Sequence, residues 1–111
     1  MEPAEVPRHP GVFPCKVKRA DDERWPRTTS YALWVHDVLL IHGGPALVKT
    51  VPIGVTGIER GRRPAPDVKL KGGDPVSISF RSDDASVFEV AVPSRFAATL
   101  AGPFPSAAEG S

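Results

Sequence analysis

The chain has 111 residues, of which 41% are hydrophobic and 24% charged, and its formal net charge is +1. That size is typical of one domain with a single core, and so small a charge gives no whole-molecule field to attract nucleic acid or a membrane. The single cysteine, Cys15, excludes an intrachain disulfide framework and a cysteine-based zinc site. No apolar run is long enough to span a bilayer.

The composition divides the chain into three parts. Residues 1–10 combine prolines with alternating charges, which indicates a flexible leader. Residues 103–111 are mostly small and polar, which indicates a disordered tail. The folded domain is therefore predicted over residues 11–102. Cys15 is interpreted as a small buried hydrophobe, and its isolation favours a reducing, cytoplasmic location.

Alternating apolar and polar residues predict strands in the first part of the domain. A strand is expected over 12–19, and a charged loop follows it. A second strand over 31–36 turns at Asp37 into a short apolar strand over 38–42. Gly43-Gly44-Pro45 ends that strand, since glycine and proline favour turns.

The middle of the domain is predicted as short extended pieces. Residues 46–50 continue extended, and Val51-Pro52-Ile53 is expected at an edge or strand end because proline cannot donate to a ladder. A β-branched strand follows over 54–59, then a loop over 60–66. Residues 67–70 are a candidate for one more short strand.

The last part of the domain combines a hairpin with a helix. Residues 76–81 alternate most regularly, and 87–92 form the returning strand. The period then changes, because Phe96 and Leu100 are spaced for one helix face between a Pro-Ser start and a Gly-Pro stop. The predicted fold class is mainly β: an antiparallel split barrel of six or seven strands, capped by one short C-terminal helix.

This order of motifs resembles that of pleckstrin-homology-like (PH-like) and GRAM-type domains. Ala32 to Ile41 is similar to their strand, turn and short apolar strand, and Val51-Pro52-Ile53 to their hydrophobic-Pro-hydrophobic step. Val55 to Glu59 resembles their strand ending in Ile-Glu, and the hairpin and helix complete the order. The chain is also similar to the actinobacterial DUF2550-type domain of unknown function. The resemblance implies a binding or scaffolding module, with no cofactor and no enzymatic activity.

The residues themselves offer no coherent catalytic or metal-binding set. His36, Asp37 and His42 are the candidates for acid–base or metal chemistry, but a metal needs three or four converging ligands. The alternative interpretation places Asp37 in a turn and the histidines at strand ends. A small hydrolase using His36 or His42 is the enzymatic alternative, and it requires both side chains in one cleft.

Basic residues give the main candidate site, because clustered Lys and Arg recognise anions. The predicted ligand- or anion-binding residues lie in the first loop and near the middle of the chain: Lys16, Lys18, Arg24, Arg27, Arg62 and Arg63. Lys16, Lys18 and Arg27 resemble, in position, the cations of the first hairpin that hold inositol phosphates in lipid-binding pleckstrin-homology domains. Peripheral binding to an anionic membrane is therefore the alternative function. The acids of the same loop oppose it, and so does a bacterial-looking composition rich in Ala, Arg, Pro and Val.

Two tryptophans are the remaining candidates for partner contact. Trp25 precedes a proline in the first loop, and Trp34 lies in the second predicted strand. Large aromatic residues anchor interfaces when exposed and fill cores when buried, and both interpretations stay open. The leading hypothesis is a non-enzymatic interaction domain that binds a protein or peptide partner, which could add a strand at the edge near Val51–Ile53. Binding to nucleic acid is not expected, since the chain lacks a pair of aromatic residues on one strand for stacking bases.

Overall fold

The structure is a computed structural model that describes residues 11–43, 49–70 and 73–104. Six antiparallel strands follow one another around a closed barrel, in which the last strand pairs with the first. The strands are β1 (Phe13–Arg19), β2 (Ser30–Val35), β3 (Val38–Gly43), β4 (Lys49–Pro64), β5 (Pro75–Ser82) and β6 (Val87–Pro93). A 3-10 turn (Ser94–Phe96) and the helix α1 (Ala97–Ala101) complete the described part. The predicted fold class is confirmed.

Two strands are shared between the halves of the barrel, which makes the barrel split. Along β1, Phe13 to Cys15 pair with β2, whereas Lys16 to Arg19 pair with β6. Along β4, the part from Lys49 to Gly54 pairs with β3, and the part from Val55 onward pairs with β5 across three register shifts. Such shifts bend a strand, so β4 can pass from one sheet to the other.

The alternation that predicted the strands directs one apolar face into the barrel. Phe13, Ile78, Phe80 and Val90 are among the fully buried core residues. The Phe80 ring stacks on that of Phe88, with centroids 5.6 Å apart. The β5–β6 hairpin, where the sequence pattern was clearest, therefore supplies more of the buried core than any other pair of neighbouring strands.

The C-terminal helix closes one end of the barrel, as predicted. Leu100 is fully buried and Phe96 packs against the core. The Trp34 indole Nε1–H donates to the Leu100 carbonyl oxygen over 2.9 Å, which ties the helix to β2. Phe104 also packs here, 6.0 Å from the Trp34 ring between centroids. The packed domain therefore extends two residues beyond the predicted boundary at residue 102.

Strand β4 differs most from the prediction. The loop expected over 60–66 is strand as far as Pro64, and no strand forms over 67–70. The prolines and glycines of this region were interpreted as breaks in the strand. In the closed barrel, however, β4 pairs first with β3 on one side and then with β5 on the other. The predicted leader over 1–10, the turn residues Gly44-Pro45 and the end of the tail from 105 lie outside the described residues.

Within the described ranges, the predicted edge at Val51–Ile53 pairs with a strand, β3, on one side only. Val55 N donates to Asp37 O on the β3 side, and Asp83 N donates to Gly54 O on the opposite side. Backbone groups alternate in direction along a strand, so Pro52 faces the same open side as Gly54. Because proline has no N–H, a partner strand would find a gap in the ladder there. The structure therefore disfavours the expected strand addition at this edge.

Within the described part of the chain, no helix is long and apolar enough to cross a membrane.

Candidate functional site

The candidate site lies on the outer face of the barrel, where β1 pairs with β6. Lys16 is opposite Ala91 and Lys18 is opposite Glu89, so both lysines point outward from β1. This outward position follows from the pairing of the intervening residue, Val17, with Val90 in the core.

The two lysines hold the loop that follows β1, residues 20–29, against this face. Lys18 Nζ donates to the Asp22 carbonyl oxygen over 2.9 Å, and Lys16 Nζ donates to the Arg27 carbonyl oxygen over 3.1 Å. The loop is therefore fixed near both of its ends by side chains of the strand before it.

Trp25, between those two points, anchors the middle of the loop. Its ring packs against a small apolar cluster formed by Ala65, Val68 and Ala91. The Lys18 ammonium lies 5.2 Å from the centroid of the same ring, within the range of a cation–π contact. The segment 65–70 and the loop 20–29 thus meet over the outer face of β6.

Between these two segments lies an open groove with a volume of about 1330 Å³, which we call the outer groove. It is lined by the cations Lys16, Lys18, Arg24, Arg27 and Lys69, the acids Glu23, Asp67 and Glu89, and the aromatic residues Trp25 and Tyr31. Four of the six basic residues predicted for anion binding therefore come together, with the predicted partner-contact residue Trp25 among them.

The charges of the outer groove are unevenly compensated. Glu89 accepts a hydrogen bond from Ser77 over 2.8 Å through one oxygen and lies 3.4 Å from Lys18 Nζ through the other. Lys16 is only 5% exposed, yet it makes no ion pair with any residue in the described part of the chain. A buried ammonium without a counter-ion is costly, so Lys16 is the feature of the groove that most favours an incoming anion.

The other predicted site residues lie elsewhere. Arg63 on β4 pairs with Ser77 on β5, so two strands, β5 and β6, separate it from β1 on the same outer face. Neither Arg63 nor Arg62 lines the outer groove. Trp34 lies in the barrel interior, where its ring makes an edge contact with Phe80 at 5.7 Å between centroids. This position favours the core interpretation of Trp34.

The histidines are separated. His36 is exposed in the tight β2–β3 turn with a φ of 56°, whereas His42 is at the other end of β3 and 1% exposed. The His42 Nδ1 atom shares a 2.8 Å hydrogen bond with Thr50 Oγ1. The cleft that a histidine hydrolase requires is not formed by these two residues, and the described residues contain no group of ligands suited to a metal ion.

The acidic Asp83-Asp84 pair lies in the β5–β6 turn. Hydrogen bonds from the Ser82 and Ser86 hydroxyls, and from the Ser86 backbone N–H, lower the pKa of Asp84 to about 2. The carboxylate therefore caps its own turn, which explains its presence without a bound cation.

The groove residues that sequence reasoning missed include Tyr31, Asp67, Lys69 and Glu89. The sequence has an excess of cations between Lys49 and Lys71, but whether Lys69 lines the groove depends on the path of segment 65–70. The alternation along β6 predicted that Glu89 points outward. It could not predict that Glu89 lies opposite Lys18 of β1.

A comparison of the chain with protein-family models, curated proteins and solved structures finds no match.

Proposed function

We propose that this protein is a non-enzymatic interaction module that binds a protein partner through the outer groove. The observation that carries the proposal is the convergence of Trp25 and several cations on one open groove of about 1330 Å³. Partly buried aromatic residues beside arginines are typical of the centres of protein interfaces. We also propose a relation to PH-like and GRAM-type domains, which include many binding modules. The split barrel with its terminal helix supports this proposal.

The groove, rather than a strand edge, is the proposed contact surface. The open side of β4 is interrupted at Pro52, so side-chain recognition is favoured over strand addition. Arg24, Arg27 and Lys69 are exposed along the groove and make no ion pair with another described residue, so they are available to a partner.

Peripheral binding to an anionic membrane through Lys16, Lys18, Arg24, Arg27, Arg62 and Arg63 is the second proposal, and it fits the geometry less well. A membrane surface attracts exposed cations, but Lys16 and Lys18 are recessed and engaged by the loop. Arg62 and Arg63 lie outside the groove, and exposed Glu23 and Asp67 line it.

Site-directed photo-crosslinking tests the proposed contact surface. A photoreactive amino acid replaces Arg24 in the groove or, as the matched control, exposed Arg62 outside it. In a lysate of the native host, we expect one discrete protein adduct from position 24 and none from position 62. An excess of unmodified protein is expected to abolish the adduct. Equal adducts from positions 24 and 62 would contradict the proposal. So would the absence of an adduct both from position 24 and from a second probe at Lys69.

A further inference from the structure

The most unusual charge in the described structure is that of Lys16. Its side chain is buried under the loop 20–29, and its Nζ atom donates to the Arg27 carbonyl oxygen at 3.1 Å. An ammonium carries three N–H donors, and a neutral carbonyl oxygen does not balance its charge. Lys16 nevertheless lines the open groove, so a ligand that enters the groove can reach its surroundings.

The nearest candidate counter-ion on the same face is already engaged. Glu89 is paired with Lys18 at 3.4 Å and accepts the Ser77 hydroxyl hydrogen bond at 2.8 Å. Residues on one strand alternate in direction, so Lys16 and Lys18 share a face, but only Lys18 stands directly opposite Glu89. Among the described residues, Glu89 thus neutralises one of the two outward lysines of β1 and leaves the other without a carboxylate.

The remaining charges of the outer groove also favour an anionic ligand. Without the Lys18–Glu89 pair, the lining contains four cations, Lys16, Arg24, Arg27 and Lys69, against the two exposed acids Glu23 and Asp67. The cations come from β1, from the loop 20–29 and from segment 65–70, so they border the groove on several sides. A ligand with several spaced negative charges fits this arrangement better than a single small anion.

We propose that the outer groove binds an acidic segment of the partner protein, with one of its Asp or Glu carboxylates seated at Lys16 and its neighbours at Arg27 and Lys69. This inference rests on the proposed function and names the chemistry of the partner. The carboxylate supplies the counter-ion that Lys16 lacks, and the apolar part of the segment lies against Trp25. An extended peptide of about eight residues reaches roughly 26 Å, which is comparable with the shorter dimensions of the domain, 27 and 26 Å.

The experiment measures binding of a fluorescein-labelled octaglutamate peptide by fluorescence anisotropy at low salt, with octaglutamine as the uncharged comparison. We expect octaglutamate to bind, octaglutamine not to bind, and binding to weaken as salt rises. Lys16→Met is expected to weaken octaglutamate binding at least tenfold, and Lys16→Arg to retain most of it. The matched control Arg62→Met removes the same unit of charge outside the groove and is expected to change binding less than twofold.

If Lys16 served only to hold the loop 20–29, Lys16→Met would lower the thermal midpoint, because it removes the hydrogen bond to the Arg27 carbonyl oxygen. If the unpaired charge of Lys16 is there for a ligand, the midpoint is expected to equal or exceed that of the parent protein, because Met leaves no buried charge without a counter-ion. If Lys16→Met folds with an unchanged midpoint and binds octaglutamate like the parent, the carboxylate seat is wrong. Equal losses in Lys16→Met and Arg62→Met would indicate a general field instead and overturn the inference.

Two further results separate this inference from its alternatives. If crosslinking from position 24 captures a partner but octaglutamate does not bind, the proposed function stands and the acidic ligand is wrong. If vesicles of equal phosphatidylcholine and phosphatidylglycerol bind the protein, Lys16→Met weakens their binding, and octaglutamate does not bind, the ligand of the groove is a membrane and the inference falls.

Discussion

At the scale of single residues, position on a strand decides what a side chain does more than its chemical type. Lys16 and Lys18 are two apart on β1 and both hold a carbonyl of the same loop. Only Lys18 also reaches a carboxylate, at 3.4 Å, because Glu89 lies directly across the ladder. The neighbouring residues Cys15 and Val17 face the core, so the same stretch supplies both the barrel interior and the site.

Cys15 gives a prediction on the interior side of this strand. The thiol is fully buried, and this desolvation raises its pKa to about 12 from an ordinary value of 9.0. Only the thiolate reacts with disulfide reagents and alkylating agents, so the folded protein is expected to resist labelling at pH 8 and to react once unfolded in urea. Labelling of the folded protein at the rate of the unfolded chain would contradict this burial.

The same pKa shift fixes the direction of a pH effect on stability. The folded pKa is above the unfolded one, so the contribution of Cys15 is complete below about pH 9 and lost as pH rises toward 12. Over that window the parent protein should lose about 1.4 kcal/mol per pH unit relative to Cys15→Ala, which has no thiol to ionise. Urea unfolding of both proteins at pH 8 and pH 10 measures the difference.

At the scale of elements, the C-terminal helix depends on one glycine. Gly102 has a φ of 53° and a ψ of −119°, a region that residues with a side chain rarely adopt. A Cβ atom there would overlap the Trp34 indole, which donates to the Leu100 carbonyl oxygen. The end of the helix and the barrel wall therefore fit only if residue 102 lacks a side chain.

Gly102→Ala is accordingly expected to lower the free energy of unfolding by roughly 2–4 kcal/mol, from backbone strain together with the displaced Trp34 hydrogen bond. Gly57→Ala is the matched control, because a Cβ atom at Gly57 would meet nothing within 4 Å. That control is expected to stay within about 0.5 kcal/mol of the parent. Urea denaturation followed by tryptophan fluorescence measures both, and equal costs for the two substitutions would show that the helix is not held in this way.

The elements that the sequence predicted well are those whose signal is local. Regular alternation placed the β5–β6 hairpin within one residue of its observed ends, and the spacing of Phe96 and Leu100 located the helix region. The sequence failed at β4, where Pro52, Gly61 and Pro64 favour breaks by local propensity. Pairing with β3 and then with β5 overrides that propensity, and the partner strands lie elsewhere in the chain.

At the scale of the whole molecule, ring closure creates the candidate site. The pairing of β1 with β6 brings Lys18 to Glu89, and the path of segment 65–70 brings Lys69 and Asp67 to the loop 20–29. The sequence identified the cations of the first loop and Trp25, because these are neighbours along the chain. It could not separate Lys69 from Arg62 and Arg63, since only the closed barrel determines which of them lines the groove.

Closure of the ring also leaves a split, and backbone hydrogen exchange should reveal it. Val51 and Ile53 share the backbone orientation of Val55, whose N–H donates toward β3, whereas Thr50 shares that of Pro52 on the open side. The Val51 and Ile53 amides are therefore expected to exchange at least about tenfold more slowly than the Thr50 amide in a two-dimensional NMR experiment. Their partners Leu39 and Ile41 provide the reference for a paired strand. If the Thr50 amide exchanges as slowly as the Val51 amide, the open side of β4 is covered. The strand then has no free edge at this point.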